Sequence, residues 1–178
     1  MKRVYTLFLL LLSFNGFCQD ASHPRPSPLS IVAVMYKDTY LKLTYSQPQK
    51  NGREIFGKLV PFDQVWRTGA NEATEMTITR DIKINGSDLK TGTYSIFTIP
   101  KEGSWTIIIN SDLGLNGSYN YSTKSDVLRF DVPSIPIEDV IYESFTIWIN
   151  QKNDKAELLM AWDKTKVSAN IQFLEPKP

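Results

Sequence analysis

Apolar and polar residues alternate with a period of two along most of the chain beyond residue 36, as half-buried β-strands require. Between residues 40 and 45, Leu41, Leu43 and Tyr45 alternate with Lys42 and Thr44. Across 74–84, Met76, Ile78, Ile82 and Ile84 share one parity, and Thr77, Thr79, Asp81 and Lys83 the other. Arg80 breaks the apolar parity and predicts a bend or bulge. Asn85-Gly86 follows as a hairpin-turn signal. Residues 94–99 and 105–110 are apolar runs rich in β-branched and aromatic side chains, joined by a hairpin loop at 101–104 (KEGS). Three further alternating sets are Leu128, Phe130 and Val132; Phe145, Ile147 and Ile149; and Leu158, Met160 and Trp162. Val167, Ala169, Ile171 and Phe173 form the last set, and residues 163–165 (DKT) make a terminal hairpin with the run before it.

No long segment carries a helical period. Roughly eight or nine short strands separated by turn signals predict an all-β antiparallel domain over 36–174, a two-sheet sandwich or jelly roll, with a closed barrel as the alternative. The exception is 47–73 (QPQKNGREIFGKLVPFDQVWRTGANEA), which lacks alternation and carries three glycines and two prolines. An irregular stretch of that length is usually functional or carries local structure. Short helical turns are expected at 53–56 and 62–67.

The start of the chain departs from this pattern. Lys2 and Arg3 precede an apolar run at 4–12, then polar Ser13 and Asn15 and small Gly16 and Cys18. This reads as a cleaved signal peptide over 1–18, too short to remain as a membrane span, and implies export to the periplasm or beyond. Cys18, the single cysteine, also fits the lipidated residue of a lipoprotein, but Phe17 and Asn15 match that signal poorly. Cleavage after Cys18 leaves no thiol, hence no disulfide and no Cys-type metal site. Residues 19–35 read as a linker, with three prolines in 19–30 and the only histidine at His23. Without the leader, 18 Lys and Arg face 19 Asp and Glu, a net charge of −1. So balanced and scattered a charge gives no electrostatic pull toward nucleic acid.

With no histidine in the domain, Ser-His-Asp, Cys-His and His-metal designs are excluded. There is no phosphate loop, dinucleotide fingerprint or EF-hand pattern, and no catalytic, metal or cofactor set is assigned. The polar segment 110–120 has Asp112 as its only carboxylate and reads as a turn, not a calcium loop. Three Asn-X-Ser triplets, at Asn85, Asn116 and Asn120, matter only in a eukaryotic secretory route. The densest set of hydrogen-bonding groups is 66–72 (WRTGANE). Trp66 offers a flat face, Arg67 a fork of donors, Thr68 a hydroxyl, Asn71 a donor and an acceptor, and Glu72 an acceptor. Gly69 permits a close backbone approach. These groups suit a polar ligand such as a sugar or a carboxylate. They could equally pin the loop, with Arg67 paired to Glu72 or another acid, Asn71 satisfying a turn and Trp66 in the core.

Several runs resemble the bacterial Domain of Unknown Function 2911 family. They are 52–61 (GREIFGKLVP), 65–74 (VWRTGANEAT), 92–100 (GTYSIFTIP), 105–110 (WTIIIN) and 126–129 (DVLR). The resemblance covers 36–173, with one departure at Asn116-Gly117, where many members carry Trp-Gly. It implies an envelope or secreted bacterial protein and supplies neither an activity nor catalytic residues.

The reading that follows is an exported, non-catalytic binding or accessory module acting through Trp66, Arg67, Thr68, Asn71 and Glu72. Its expected partner is a small polar ligand or an envelope protein, with no nucleic acid. The alternatives are a hydrolase working through carboxylates, with Glu72, Glu143 or Asp126 as candidates, and a structural or partner-binding envelope protein.

Overall fold

The computed structural model describes residues 24–175. The leader over 1–18, Cys18 and His23 lie outside the described residues. Among those described, no helix is long and apolar enough to cross a membrane.

Eleven strands form one antiparallel sheet: β1 (Leu29–Tyr36), β2 (Thr39–Ser46), β3 (Thr74–Ile78), β4 (Ile82–Ile84), β5 (Ser87–Leu89), β6 (Gly92–Lys101), β7 (Ser104–Asn110), β8 (Asp126–Pro136), β9 (Tyr142–Lys152), β10 (Lys155–Asp163) and β11 (Thr165–Phe173). The path runs β1-β2-β3-β6-β7-β8-β11-β10-β9, with the β4–β5 hairpin paired to β11. The sheet curls into a nearly closed barrel. Its long strand β8 pairs β7 through residues 126–133 and β11 through residues 134–136, so one strand joins the two halves of the wall. The all-β antiparallel expectation holds. The pairing is continuous, and a division into two separate sheets is not what the path shows.

The two ends of the path, β1 and β9, meet without a strand-to-strand ladder. Gln151 of β9 donates from Nε2 to the Met35 carbonyl of β1 (3.2 Å), and behind it the Ile147 N–H of β9 donates to the buried hydroxyl of Tyr45 on β2 (3.1 Å). Inside, Leu41, Leu43, Met76, Ile96, Ile107, Phe145, Met160 and Ile171 form one buried cluster.

Sequence and structure differ in three places, and a fourth feature accounts for the continuous apolar runs. Strand β1 starts at Leu29, inside the stretch read as linker. Its residues LSIVAVMY are apolar at both parities, so no alternation marks them as a strand. Arg80 does not bulge a single strand. The chain leaves β3, which pairs β2 and β6, and restarts as β4 against β11 and β5. The expected turns at 53–56 and 62–67 are not helical. The only helical piece described is a 3-10 turn at Thr123–Ser125. Finally, β6 and β7 are buried on both faces. Ile96 and Ile107 face the interior, while Phe97 and Ile108 face outward under loops. That explains why their sequences run continuously apolar.

The other expected turns form where the sequence places them. Asn85 and Gly86 take φ of 47° and 84° and close the β4–β5 hairpin at Ile84 and Ser87. The loops at 101–104 and 163–165 join β6 to β7 and β10 to β11.

Candidate functional site

The long connection from β2 to β3 is held at both its ends and its middle. Near its start, Lys50 N–H donates to the Glu143 carbonyl (2.6 Å) and Phe145 N–H to the Pro48 carbonyl (2.8 Å). Near its end, Trp66 and Thr98 exchange both backbone hydrogen bonds (2.7 and 2.9 Å). Between these points, Ile55, Val60 and Trp66 point into the barrel and are buried. The segment is a plug with a polar outer rim.

Trp66 belongs to the plug. It is 8% exposed and stacks on Trp162 (5.9 Å between centroids, planes 18° apart), with edge contacts to Trp105, Phe56 and Phe145. Its indole N–H donates to the Gly69 carbonyl at 3.0 Å, so the ring enters the core with its one polar atom satisfied. A ligand therefore has no indole face to stack on. Thr68 is also fully buried. Its hydroxyl donates to Thr98 Oγ1 (3.1 Å), and its carbonyl accepts from Thr74 Oγ1 (2.5 Å). Gly69 lies against β2: a Cβ there would stand 2.9 Å from the Ser46 carbonyl oxygen. Trp66, Thr68 and Gly69 thus anchor the rim, and Arg67, Asn71 and Glu72 are presented on it.

The rim meets a second loop, residues 111–125. Ala73 N–H donates to the Leu115 carbonyl (2.8 Å), Gly117 N–H to the Asn71 carbonyl (2.9 Å), and Glu72 bridges Asn116 through the backbone. Beneath the two loops, Ala73, Phe97 and Ile108 form a satellite core with Leu115 and Tyr121 packed on it. Asn110 and Asp126 hold the far end of the second loop. Asn110 Nδ2 donates to Asp126 Oδ1 (2.9 Å), and Tyr121 and Arg129 both donate to Asp126 Oδ2 (2.7 and 2.9 Å). Burial, reinforced by the bond to the Asp126 carboxylate and its charge, pushes the Tyr121 phenol up to about 12.

The charges on the rim pair unexpectedly. Glu72 does not pair with Arg67. Both its oxygens accept from Nη1 of Arg25 (2.9 and 3.0 Å), a residue of the segment leading into β1. The Glu72 carboxyl is held below its usual range, first by its own backbone N–H and then by Arg25. Asn71 Nδ2 reaches the Ser27 carbonyl at 3.5 Å. A small cleft of about 280 Å³ opens here between Arg25, Leu29, Ser46, Glu72 and Glu75. Arg67 is left without an acid. It is half-buried, it forms no ion pair with any described residue, and its Nε is enclosed without a hydrogen-bond partner. Its Nη1 lies beside Gly117, 3.4 Å from where a Cβ would stand.

Other charge-rich places are self-satisfied. A larger cleft, about 700 Å³, is lined by Asp38, Arg80, Asp81, Asp88, Lys90 and Glu175. Each of these is in an ion pair: Asp38 with Arg80, Lys90 with Asp81, Lys83 with Asp88 and Lys37 with Glu175. The carboxylates weighed for hydrolysis are engaged separately. Glu72 is bound by Arg25, Glu143 accepts from the Asn51 N–H (2.7 Å), and Asp126 sits in the Asn110–Tyr121–Arg129 network. Moreover, the lowered carboxyl of Glu72 is the opposite of what a general acid needs. No group of three or more His, Cys, Asp or Glu that could hold a metal ion occurs among the described residues.

A nearly closed antiparallel barrel, plugged by one loop whose rim carries an arginine without an acid partner among the described residues, is the class of protein that fold and site define. The chain belongs to the family described as Protein of unknown function (DUF2911), whose model matches residues 27–171. The match begins before β1, so that strand is part of the family domain. No curated protein and no solved structure matches the chain. Asn116 is exposed, and the aromatic ring against Gly117 belongs to Tyr119.

Proposed function

We propose that this protein is an exported, non-catalytic binding module that takes a carboxylate-bearing ligand at Arg67. The observation that carries the reading is the state of that side chain. A half-buried guanidinium without a counter-charge is costly, and a buried donor left unsatisfied costs about 1–3 kcal/mol. A rim that held Arg67 only for stability would be expected to give it an acid, and the adjacent acid, Glu72, is committed to Arg25. The guanidinium fork fits a carboxylate with two parallel hydrogen bonds. Asn71 flanks it on the same loop. The sugar alternative in its original form relied on stacking against Trp66, which the core has taken. Export rests on the basic start and apolar run at 4–12.

Thermal unfolding in the presence of acetate, succinate, uronates and neutral hexoses, at matched ionic strength, tests the reading. A ligand at about 100 times its Kd stabilises the fold by about 2.7 kcal/mol. A rise in Tm with carboxylates and not with hexoses is expected, and it should vanish in Arg67→Met. No rise with any carboxylate, or an equal rise in Arg67→Met, would overturn it.

A further inference from the structure

Tyr119 is 89% exposed, the most open of the large hydrophobic side chains on the surface. Its ring stacks on no other aromatic among the described residues. It lies against the backbone of its own loop at Gly117. Gly117 has φ of +70°, and a Cβ built there would stand 2.8 Å from Cε2 and 2.9 Å from Cδ2 of Tyr119. The missing Cβ at Gly117 leaves room for the ring to rest against the loop at that point. The same hypothetical Cβ would stand 3.4 Å from Arg67 Nη1. Ring edge and guanidinium therefore share one small space above Gly117. The hydrogen bond from Gly117 N–H to Asn71 O ties that space to the candidate loop.

An open aromatic face beside an unpaired guanidinium makes two different demands of one ligand. The guanidinium asks for an anion of planar, two-oxygen geometry. The ring asks for an apolar face to lie on it, such as the C–H face of a puckered sugar ring or the face of a second aromatic ring. An acyclic acid such as acetate satisfies only the first demand, and a neutral sugar only the second. We infer that the ligand at Arg67 is a carboxylate carried on a ring, with Tyr119 as the platform that selects the ring. A uronic acid unit and an aromatic acid both have this chemistry. The inference rests on the reading of Arg67 as the anion-binding group and adds the residue that decides specificity.

Calorimetric titration of D-glucuronate, D-galacturonate, benzoate, acetate and D-glucose into the wild-type protein, Tyr119→Ala and Tyr119→Phe tests it. At least one ring acid should bind the wild type about tenfold more tightly than acetate, and glucose should not bind. Tyr119→Ala should reduce that ring acid to the level of acetate and leave acetate itself unchanged. Tyr119→Phe should retain the preference, because the ring face and not the hydroxyl supplies it. The stronger of the uronates and benzoate names the source of the ring. Equal binding of acetate and ring acids, or a preference that survives Tyr119→Ala, would overturn the inference and leave anion binding at Arg67 standing. Absence of binding by every carboxylate would overturn both. Tyr119 is exposed, so its replacement leaves the core intact.

Discussion

Trp66, carried by the irregular loop, stacks on Trp162 of the terminal β10–β11 hairpin with ring centroids 5.9 Å apart. This contact joins the residue before Arg67 to a strand far away in sequence, so the rim is fixed to the barrel from within. Replacing a large buried aromatic by alanine removes its transfer energy and leaves a cavity, at a cost of about 3–5 kcal/mol. Trp66→Ala should therefore lower the free energy of denaturant unfolding by that amount. An effect below about 1 kcal/mol would show that the loop does not act as a plug.

Arg25 and Glu72 form an ion pair with both side chains well exposed, at 61% and 49%. Exposed pairs contribute about 0–1 kcal/mol, so Arg25→Ala should hardly change stability. Its signature should be electrostatic. The folded value of Glu72 lies below its unfolded one, so its contribution is present at neutral pH and is lost as pH falls through the folded value. In Arg25→Ala the Glu72 carboxyl should titrate at higher pH but not return fully to its ordinary value, because its backbone N–H remains as the larger cause. An NMR pH titration of the Glu72 side chain reads this directly.

Tyr121 supplies an alkaline counterpart. Its phenol is raised from 10.0 to about 12 in the folded protein, so the folded state keeps a proton that the unfolded chain releases. Stability should be fully present below pH 10 and should fall between about pH 10 and about pH 12. Tyr121→Phe should flatten that decline, as seen by unfolding at a series of alkaline pH values. An unchanged decline would assign it to other groups.

The fold was legible where burial is one-sided. Leu41, Leu43 and Tyr45 face the interior while Lys42 and Thr44 do not, and that asymmetry is what alternation reports. It was hidden wherever both parities are apolar. In β1, Leu29, Ile31 and Met35 are exposed at 60–64% beside half-buried Val32 and Val34, and the composition gives no hint of which side faces in. The candidate loop was found from its density of polar groups, but the roles within it were not. Nothing local in WRTGANE states that Trp66 turns inward while Arg67 turns out. The pairing of Glu72 with Arg25 spans 47 residues and begins in a proline-rich stretch without periodicity. Tyr119 carries no sequence signal, because an exposed tyrosine in a glycine-rich loop has no periodicity or motif to mark it. Its position relative to Arg67 depends on the contact between the two loops.

Arg67→Met separates a binding role from a structural one. An arginine that pins the loop should destabilise the protein by several kcal/mol when removed, as breaking a buried ion pair does. An arginine with no acid to leave behind, and with its enclosed Nε unsatisfied, should cost no stability when removed: the free energy of unfolding should stay the same or rise, by up to about 1–3 kcal/mol.

Calorimetric titration of D-glucuronate and of benzoate into the wild type and into folded Arg67→Met decides whether this guanidinium is a binding group. Saturable heat with at least one of the two acids in the wild type and none in Arg67→Met, with the variant at least as stable as the wild type, is the expected result. Identical isotherms for the two proteins would contradict it.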